Sequence, residues 1–260
     1  MKILLTNDDG IHADGLWVLH DALAGEHRVT VVAPDRERSA VGHGITLHHP
    51  LRVAEVAVRD GLRGQAVDGT PADCVKLGLS ELLLEDRPDL VVAGINPGAN
   101  VGVSINYSGT VSAAREAALY GVPGLAVSVN GFPGGHLEDC AGFIARLAGD
   151  LARRPMPFGT FLNVNVPDLP AGEIPGARIT RQGVSPITEY FEKRVDPRNR
   201  TYHWLGGDTQ RFEPDLAIDW SALSEGYISI TPIKCDMTDY ALLGDLESWV
   251  LSERRRWRRG

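Results

Sequence analysis

Residues 1–34, MKILLTNDDGIHADGLWVLHDALAGEHRVTVVAP, contain the pattern that decides the fold. Residues 3–5 form a short apolar run that predicts a buried strand, and residues 16–24 have the spacing of an amphipathic helix. A second apolar run at residues 29–33 ends at Pro34 and predicts another strand. A strand, a helix and a strand in this order are typical of two parallel strands joined by a helical crossover.

The alternation of strand and helix continues to about residue 170. Residues 47–67 are an exception, because their near period-two pattern predicts an antiparallel excursion from the sheet. The other predicted elements are helices at residues 71–84, 111–120 and 140–152 and strands at residues 90–93, 125–129 and 161–166. We therefore predict an α/β fold with a mostly parallel sheet that has helices on both faces.

The pattern changes after residue 170, so we divide the chain into an α/β core at residues 1–170 and a C-terminal extension at residues 171–260. Polar segments rich in Gly and Pro separate three predicted strands in the extension, at residues 178–192, 202–205 and 227–231. Because little in this part resembles a core of its own, we expect it to pack on the first part, partly completing it, or on a partner subunit.

The composition excludes several classes of protein. Of the 260 residues, 43% are hydrophobic and 23% are charged, which is ordinary for a chain that buries a core and unlike a disordered segment. The 26 basic and 34 acidic residues give a net charge of −8, so we expect no specific nucleic-acid partner. An Arg-rich stretch at residues 254–260 is interpreted as a solvated terminus, with contact to RNA or a membrane surface as the alternative.

Three observations concern the cellular compartment. No run approaches the roughly 18 apolar residues that a membrane helix needs. Two aspartates by position 9 come too early for a signal peptide. Cys74, Cys140 and Cys235 are scattered without a CxxC pair, which disfavours both a disulfide framework and a zinc ribbon. We therefore expect a cytoplasmic protein with no membrane partner.

Two acidic residues, Asp8 and Asp9, directly follow the first predicted strand. In a parallel α/β sheet, ligands bind in the crevice beyond the carboxyl ends of the strands. Adjacent carboxylates repel each other unless a cation lies between them, and oxygen ligands of this kind suit Mg²⁺ or Mn²⁺. The alternative is an ordinary turn, since the Asp-Gly pair at residues 9–10 is a strong turn signal.

Polar residues also follow the next two strands of the predicted sheet. Residues 33–42, APDRERSAVG, offer Ser39 as an oxygen ligand and Arg36 or Arg38 as a phosphate contact, with a charged surface loop as the alternative. In residues 94–102, GINPGANVG, Asn96 comes at the end of the third strand, so we expect it at the same edge of the sheet as Asp8 and Asp9.

Residues 107–110, YSGT, open the helix that is predicted after this loop. Ser108 and Thr110 offer hydroxyls beside the unpaired N–H groups of a helix start, which is a favourable anion site. Ordinary N-capping by these residues is the alternative. Three polar clusters at three strand ends of one sheet together indicate a ligand site.

Several common catalytic motifs are missing from the sequence. It contains no GxxxxGK[ST] phosphate loop, no GxGxxG after a strand, no HExxH and no GxSxG in a nucleophile elbow. His48 and His49 are interpreted as structural or exposed, because neighbouring strand residues point to opposite faces.

With the residues described above taken together, the chain resembles the SurE family, the stationary-phase survival-protein nucleotidases. The resemblance implies a Rossmann-like core, an extended C-terminal arm that is exchanged between subunits, and a homodimer or homotetramer. The matching blocks follow the family order over nearly the whole chain: NDDG (7–10), APDRERSAVG (33–42), DGTPADCV (68–75), GINPGANVG (94–102), YSGTVSAAREA (107–117), GVPGLAVSV (121–129), FLNVNVPD (161–168), DPRNRTYHWLGG (196–207) and GYISITP (226–232).

The resemblance also implies a set of site residues. One divalent metal ion per subunit, Mn²⁺ or Mg²⁺, would have as its ligands Asp8, Asp9, Ser39 and Asn96. The substrate phosphate would be held by a second set, consisting of Asn7, Gly42, Ser108, Gly109 and Thr110.

The activity that the resemblance implies is that of a 5′-nucleotidase, which hydrolyses nucleoside 5′-monophosphates with metal-activated water. Further candidate substrates are 3′-monophosphates and short polyphosphate. Asp8 or Asp9 would be the catalytic acceptor of the water's proton, and the sequence does not assign this role to one of them. One alternative is a haloacid-dehalogenase-like phosphatase with Asp8 as nucleophile, although Gly10 replaces its second acid. The other is a nucleotide-binding sensor without activity.

Overall fold

A mostly parallel sheet of nine strands lies at the centre of the structure, a computed structural model that describes residues 1–59, 61–131, 135–186, 189–206 and 214–251. Two further strands form a separate hairpin. The strands are β1 (Lys2–Thr6), β2 (Arg28–Pro34), β3 (Val53–Arg59), β4 (Leu62–Val67), β5 (Leu90–Pro97), β6 (Gly124–Asn130), β7 (Thr160–Pro167), β8 (Ala177–Ile179), β9 (Phe191–Val195), β10 (Thr201–Leu205) and β11 (Ile228–Lys234).

The helices α1 (Asp14–Ala24), α2 (Pro71–Leu77), α3 (Gly109–Leu119) and α4 (Leu137–Leu151) cover the two faces of the sheet. α5 (Asp219–Ser224) packs on β7 and β11, whereas the described side chains of α6 (Tyr240–Leu251) are exposed. Within the described ranges, none of these helices combines the length and the apolar character needed to cross a bilayer.

The order of the strands is β3-β4-β2-β1-β5-β6-β7-β11-β8. The six strands from β4 to β7 in this order are parallel, whereas β3 is antiparallel to β4 and β11 is antiparallel to β7. This arrangement confirms the predicted α/β fold and the antiparallel excursion, which is the pair β3 and β4.

Alternate residues of β1 pack on opposite faces of the sheet. Ile3 and Leu5 lie in a core with α1 and α4, whereas Leu4 lies in a second core with α2 and α3. Because both faces are covered, the strand is apolar at every position from Ile3 to Leu5 rather than at every second position.

Two predicted boundaries in the chain were wrong. The helix predicted at residues 71–84 ends at Leu77 and continues as a wider π-helical turn over Gly78–Leu82. The strand predicted at residues 178–192 is not continuous: Ala177–Ile179 pairs with β11, Phe191–Val195 forms β9, and Pro186, which lacks the N–H that a ladder needs, lies between them. Residues 187–188 of that prediction lie outside the described residues.

The C-terminal part contributes to the central sheet and also extends from it. β11 lies between β7 and β8, so it extends the sheet of the first part. β9 and β10 form the separate hairpin, and every one of their residues is exposed. The sequence analysis did not predict α5 or α6, and the Arg-rich stretch at residues 254–260 lies outside the described part of the chain.

Candidate active site

The carboxyl ends of β2, β1 and β5 lie side by side, because β1 pairs in parallel with both neighbours. Asp8 and Asp9 follow β1, Ser39 lies in the loop after β2, and Asn96 is near the end of β5. The N–H of Arg38 donates to the carbonyl of Asp8 at 2.7 Å and holds the first two loops together. The predicted metal ligands thus lie at one edge of the sheet.

Asn7, which was predicted to lie near the phosphate, shapes the turn that presents the acidic pair. Its Nδ2 donates to the carbonyl of Gly10 at 3.0 Å, and its Oδ1 accepts from the N–H of Gly10 at 3.2 Å. The turn requires glycine at position 10, where φ is +100° and a Cβ would lie 2.9 Å from the backbone of Arg36. Both polar atoms of the fully buried Asn7 side chain therefore serve the turn.

Asp8 is only 3% exposed and is held by the start of α3. The hydroxyl of Thr110 donates to Oδ1 of Asp8. Burial raises the pKa of Asp8 above its ordinary value, although the hydrogen bond from Thr110 acts in the opposite direction. The ionised form of this buried carboxyl therefore needs a positive neighbour.

Asp9 lies beside Asp8 and has less support from hydrogen bonds. Burial, followed by the negative charges of Asp8 and Glu37, raises the pKa of Asp9 to about 7. Its Oδ2 is buried and has no hydrogen-bond partner among the residues that the structure describes. A buried carboxylate oxygen in this state is costly, and a bound cation would both neutralise the pair and satisfy the oxygen.

Asn96 and Ser39 each present an oxygen that is free to bind a cation. Nδ2 of Asn96 donates to the carbonyls of Pro97 at 3.2 Å and Gly98 at 2.7 Å, which leaves Oδ1 as the ligand atom. The hydroxyl of Ser39 donates to Oε1 of Glu37 at 2.7 Å, so its lone pairs are available.

With the two aspartates, these residues make a donor set composed entirely of oxygen, which is the set that Mg²⁺ and Mn²⁺ prefer. Across the described ranges, no group of three or more His, Cys, Asp and Glu side chains is arranged to hold a metal. The amide oxygen of Asn96 and the hydroxyl oxygen of Ser39 are therefore needed to complete the set of metal ligands around Asp8 and Asp9. The residues present fit a hard divalent cation.

The residues predicted to hold phosphate also build the start of α3. Oγ of Ser108 accepts from the N–H of Val111 at 3.1 Å, which makes Ser108 the N-cap of the helix. Thr110 is fully buried, and its hydroxyl is directed at Asp8 rather than at solvent. Gly42 has φ +57° and donates its N–H to the carbonyl of Tyr107 at 2.9 Å. The capping alternative for Ser108 is thus confirmed.

The backbone of α3 approaches Asp8 closely at Gly109. A Cβ at this position would lie 2.8 Å from Cβ of Asp8, 2.9 Å from its Oδ2 and 3.1 Å from Cγ of Pro71. Because side chains cannot fit into such a gap, only glycine allows the helix start to lie against the carboxylate.

Two buried carboxylates that the sequence analysis did not single out hold the loop after β2. Asp73 accepts from the N–H and the hydroxyl of Thr46, at 3.0 and 2.7 Å. Glu116 is 4% exposed and pairs with Nε2 of His43 at 2.8 Å and with Nζ of Lys76 at 2.7 Å. Burial opposes ionisation, but these two partners outweigh it and lower the pKa of Glu116.

The sequence contains a signal for Asp73, which is one of these two carboxylates. Thr70 and Asp73 form a capping box: the side chain of Thr70 accepts from the backbone N–H of Asp73, and the side chain of Asp73 accepts from the backbone N–H of Thr70. Glu116 lies in an apolar helix and has no such local signal, since its partners come from distant parts of the chain.

The loop after β5 is anchored by polar side chains from later in the chain. The carbonyl of Asn100 accepts from Nδ2 of Asn163 and Nδ2 of Asn165, at 2.7 and 3.1 Å. Asp219, at the start of α5, accepts from the N–H of Gly102 at 2.8 Å. The C-terminal part therefore contributes directly to the support of the loop that precedes α3.

Comparisons with known proteins identify the family of the chain. The family model described as "Survival protein SurE" matches residues 3–189. The chain is 57% identical over 253 residues to the protein of Desulfatibacillum aliphaticivorans named 5′-nucleotidase SurE, covering 97% of this chain and 100% of that protein. It is 52% identical over 257 residues to the protein of the same name from Geobacter sulfurreducens, covering 98% and 96%. Among solved structures, the SurE protein from Aquifex aeolicus is similar, with a TM-score of 0.83, 37% identity and coverage of 96% of this chain and 100% of that chain.

Proposed function

The chain belongs to the SurE family, and we propose that it is a metal-dependent 5′-nucleotidase that hydrolyses nucleoside 5′-monophosphates to nucleoside and phosphate. The observation that carries the proposal is the acidic pair of the buried Asp8 and the partly buried Asp9, which lies at the carboxyl edge of the sheet, with Asp8 against the start of α3. A buried carboxylate oxygen of Asp9 has no hydrogen-bond partner among the described residues, and a bound cation would compensate this cost.

Asp8, Asp9, Ser39 and Asn96 would hold one Mg²⁺ or Mn²⁺ through their side-chain oxygens. When bound, such an ion lowers the pKa of a coordinated water and neutralises negative charge that develops on the phosphate. Because the carboxylate of Asp8 already accepts from Thr110, we assign the proton of the attacking water to Asp9, at the carboxylate oxygen that does not bind the ion.

The start of α3 would hold the phosphate oxygens. An eleven-residue helix presents unpaired N–H groups and the positive end of its dipole at this point. Gly109 and Gly42 bring backbone close to the anion on two sides, whereas the hydroxyls of Ser108 and Thr110 stabilise the helix start and Asp8. Among the residues that the structure describes, we identify no general acid for the leaving group, and we assign protonation of the leaving alkoxide to solvent.

Release of phosphate from AMP by the metal-stripped protein, before and after addition of Mn²⁺ or Mg²⁺, tests this function. We expect no turnover without metal and turnover with it, and a panel with 3′-monophosphates and short polyphosphate then defines the substrate range. Binding of AMP without turnover would contradict the proposal in favour of a sensor. A trapped phosphoaspartate at Asp8 would contradict attack by water.

Removal of the Thr110 hydroxyl should reduce activity without unfolding the protein. Thr110→Val preserves shape but removes the hydroxyl that donates to Oδ1 of Asp8. A hydrogen bond to a charged group contributes about 1.5–3 kcal/mol, so we expect kcat/KM for AMP to fall roughly ten- to one-hundredfold. Thr110→Ser keeps a hydroxyl and is the matched control. An unchanged kcat/KM together with a lower melting temperature would show that Thr110 serves only the helix.

We also propose that the C-terminal arm is exchanged between subunits of a homodimer or homotetramer. The hairpin of β9 and β10 exposes Phe191, Val195, Trp204 and Leu205, although large apolar side chains seldom cluster at the surface of a monomer. α6 exposes further apolar residues, among them Leu243 and Trp249. An exchanged arm would bury these faces on a neighbouring subunit.

Excision of residues 189–206, with the ends joined by a short Gly-Ser linker, should abolish assembly while leaving the central sheet intact. A truncation near residue 170 is less informative, because it also removes β11 and exposes the edge of β7. We expect the excised protein to sediment as a monomer, whereas the unaltered protein sediments as a dimer or tetramer. If the excised protein keeps the oligomeric state of the unaltered protein, arm exchange through the hairpin is contradicted.

We further propose a cytoplasmic location with no membrane or specific nucleic-acid partner. The net charge of −8 disfavours attraction to nucleic acid or anionic lipid, and the free thiols of Cys74, Cys140 and Cys235 suit a reducing compartment. Burial raises the pKa of all three thiols, which favours their protonated form.

A further inference from the structure

A cavity of about 610 Å³ lies beside the acidic pair, between the first turns of α1 and α4. We refer to it as the α1–α4 cavity; its wall includes Asp9, Asp14, Val18, Ile95, Leu137 and Asp168. Because α1 and α4 cover one face of the sheet and α3 covers the other, the cavity and the start of α3 lie on opposite sides of the acidic pair.

The α1–α4 cavity is continuous with the predicted metal ligands. Asp9 forms part of its wall, and so do Ile95 and Pro97, the two neighbours of Asn96 in the chain. A group bonded to a phosphate at the acidic pair therefore has direct access to the cavity.

The size and the walls of the cavity suit an organic group rather than water alone. Small-molecule sites in proteins enclose roughly 300–1,000 Å³ and combine apolar walls with a few polar groups. Here Val18, Val129 and Leu137 provide aliphatic surface from α1, β6 and α4. A flat nucleobase can pack against such a surface.

The polar groups of the cavity are mainly acceptors. Asp9, Asp14, Glu138 and Asp168 contribute carboxylates to its described wall. The guanidinium of Arg59 is also in the wall, but it is already paired with Asp21. Such a lining repels a second anionic group and accepts hydrogen bonds from hydroxyl and amino groups.

Asp168 is the best-positioned of these acceptors. It follows directly after β7, is partly buried, and is held by His136, whose Nδ1 lies 2.9 Å from Oδ1. Because one oxygen is fixed by this contact, the orientation of the carboxylate toward the cavity is defined before any ligand arrives.

We propose that the α1–α4 cavity binds the uncharged nucleoside part of the substrate, with Asp168 accepting a hydrogen bond from a ribose hydroxyl or a base amino group. The proposal rests on the proposed function. Phosphate and nucleoside are thus separated by charge, since the anion lies at the start of α3 and the donor-rich nucleoside lies among carboxylates.

The experiment compares AMP with methyl phosphate, which lacks the nucleoside. Ala13→Trp places an indole at the cavity wall, and we expect it to raise KM for AMP at least tenfold while kcat/KM for methyl phosphate stays unchanged. Asp168→Asn should raise KM for AMP about tenfold. Asp150→Asn, the same charge change at an exposed position of α4, is the control and should leave both substrates unaffected.

Binding of adenosine to the metal-free protein, measured by calorimetry, tests the cavity without catalysis. We expect the unaltered protein to bind adenosine and Ala13→Trp to bind at least tenfold more weakly. If AMP is not hydrolysed but adenosine binding responds to Ala13→Trp, the proposed function fails and the cavity assignment stands. If AMP is hydrolysed and neither KM nor adenosine binding responds, or if both substrates lose activity equally, the cavity assignment is overturned.

Discussion

Asp8→Asn should abolish most hydrolysis of nucleoside monophosphates while the protein stays folded. The substitution removes one negative charge from the acidic pair, so a divalent cation is held less tightly and negative charge on the phosphate is less well neutralised. A loss of about 4 kcal/mol of transition-state stabilisation corresponds to a roughly thousandfold fall in kcat/KM. We expect this fall in steady-state assays of AMP hydrolysis with saturating metal.

The melting temperature of the same preparation separates chemistry from folding. Burial raises the pKa of Asp8 and of Asp9, so the metal-free pair opposes folding when both are ionised. Asp8→Asn should therefore leave the metal-free melting temperature unchanged or raise it. The amide oxygen still accepts from Thr110. A variant that is inactive because it unfolds would contradict the metal role of Asp8.

Gly109→Ala should reduce activity through crowding alone. The added Cβ would lie 2.8 Å from Cβ of Asp8, so the carboxylate or the start of α3 must move. Since misplacement of a catalytic group by about 1 Å costs roughly one-hundredfold in rate, we expect kcat for AMP to fall by that order. Overpacking should also lower the free energy of unfolding by about 1–3 kcal/mol. Denaturant titration and steady-state kinetics on one preparation measure both quantities.

Gly149→Ala is the matched control for this substitution. Gly149 is also in a helix, α4, but a Cβ there would meet no atom within 4 Å. Alanine should therefore stabilise that helix by roughly 0.5–1 kcal/mol and leave kcat unchanged. Full activity of Gly109→Ala would show that the start of α3 does not need to approach Asp8 so closely.

Much of the fold and the location of the site could be predicted from the sequence. Apolar runs at residues 3–5, 29–33 and 90–93 indicated strands that are buried on both faces, and all three are parallel neighbours in the sheet. Since the carboxyl ends of parallel strands share one edge, residues that follow these strands had to lie near one another. This reasoning needed no knowledge of side-chain contacts.

The partners of individual hydroxyls and carboxylates could not be predicted in the same way. Ser108 and Thr110 are two residues apart and have similar local surroundings, yet one caps α3 and the other donates to Asp8. The buried Glu116 likewise pairs with His43, which lies 73 residues away in the chain. Such partners depend on the angle and depth at which helices pack on the sheet.

The sequence by itself determined the parallel α/β architecture and the edge of the sheet at which the acidic pair lies, because both follow from the periodicity and order of local segments. Tertiary structure alone decided that β11 enters the central sheet, that Gly109 lies against Asp8, and that a cavity opens between α1 and α4. The physical reason is that a periodic apolar pattern specifies which face of an element is buried. It does not specify which distant atoms meet that face, since close packing of the whole chain sets those contacts.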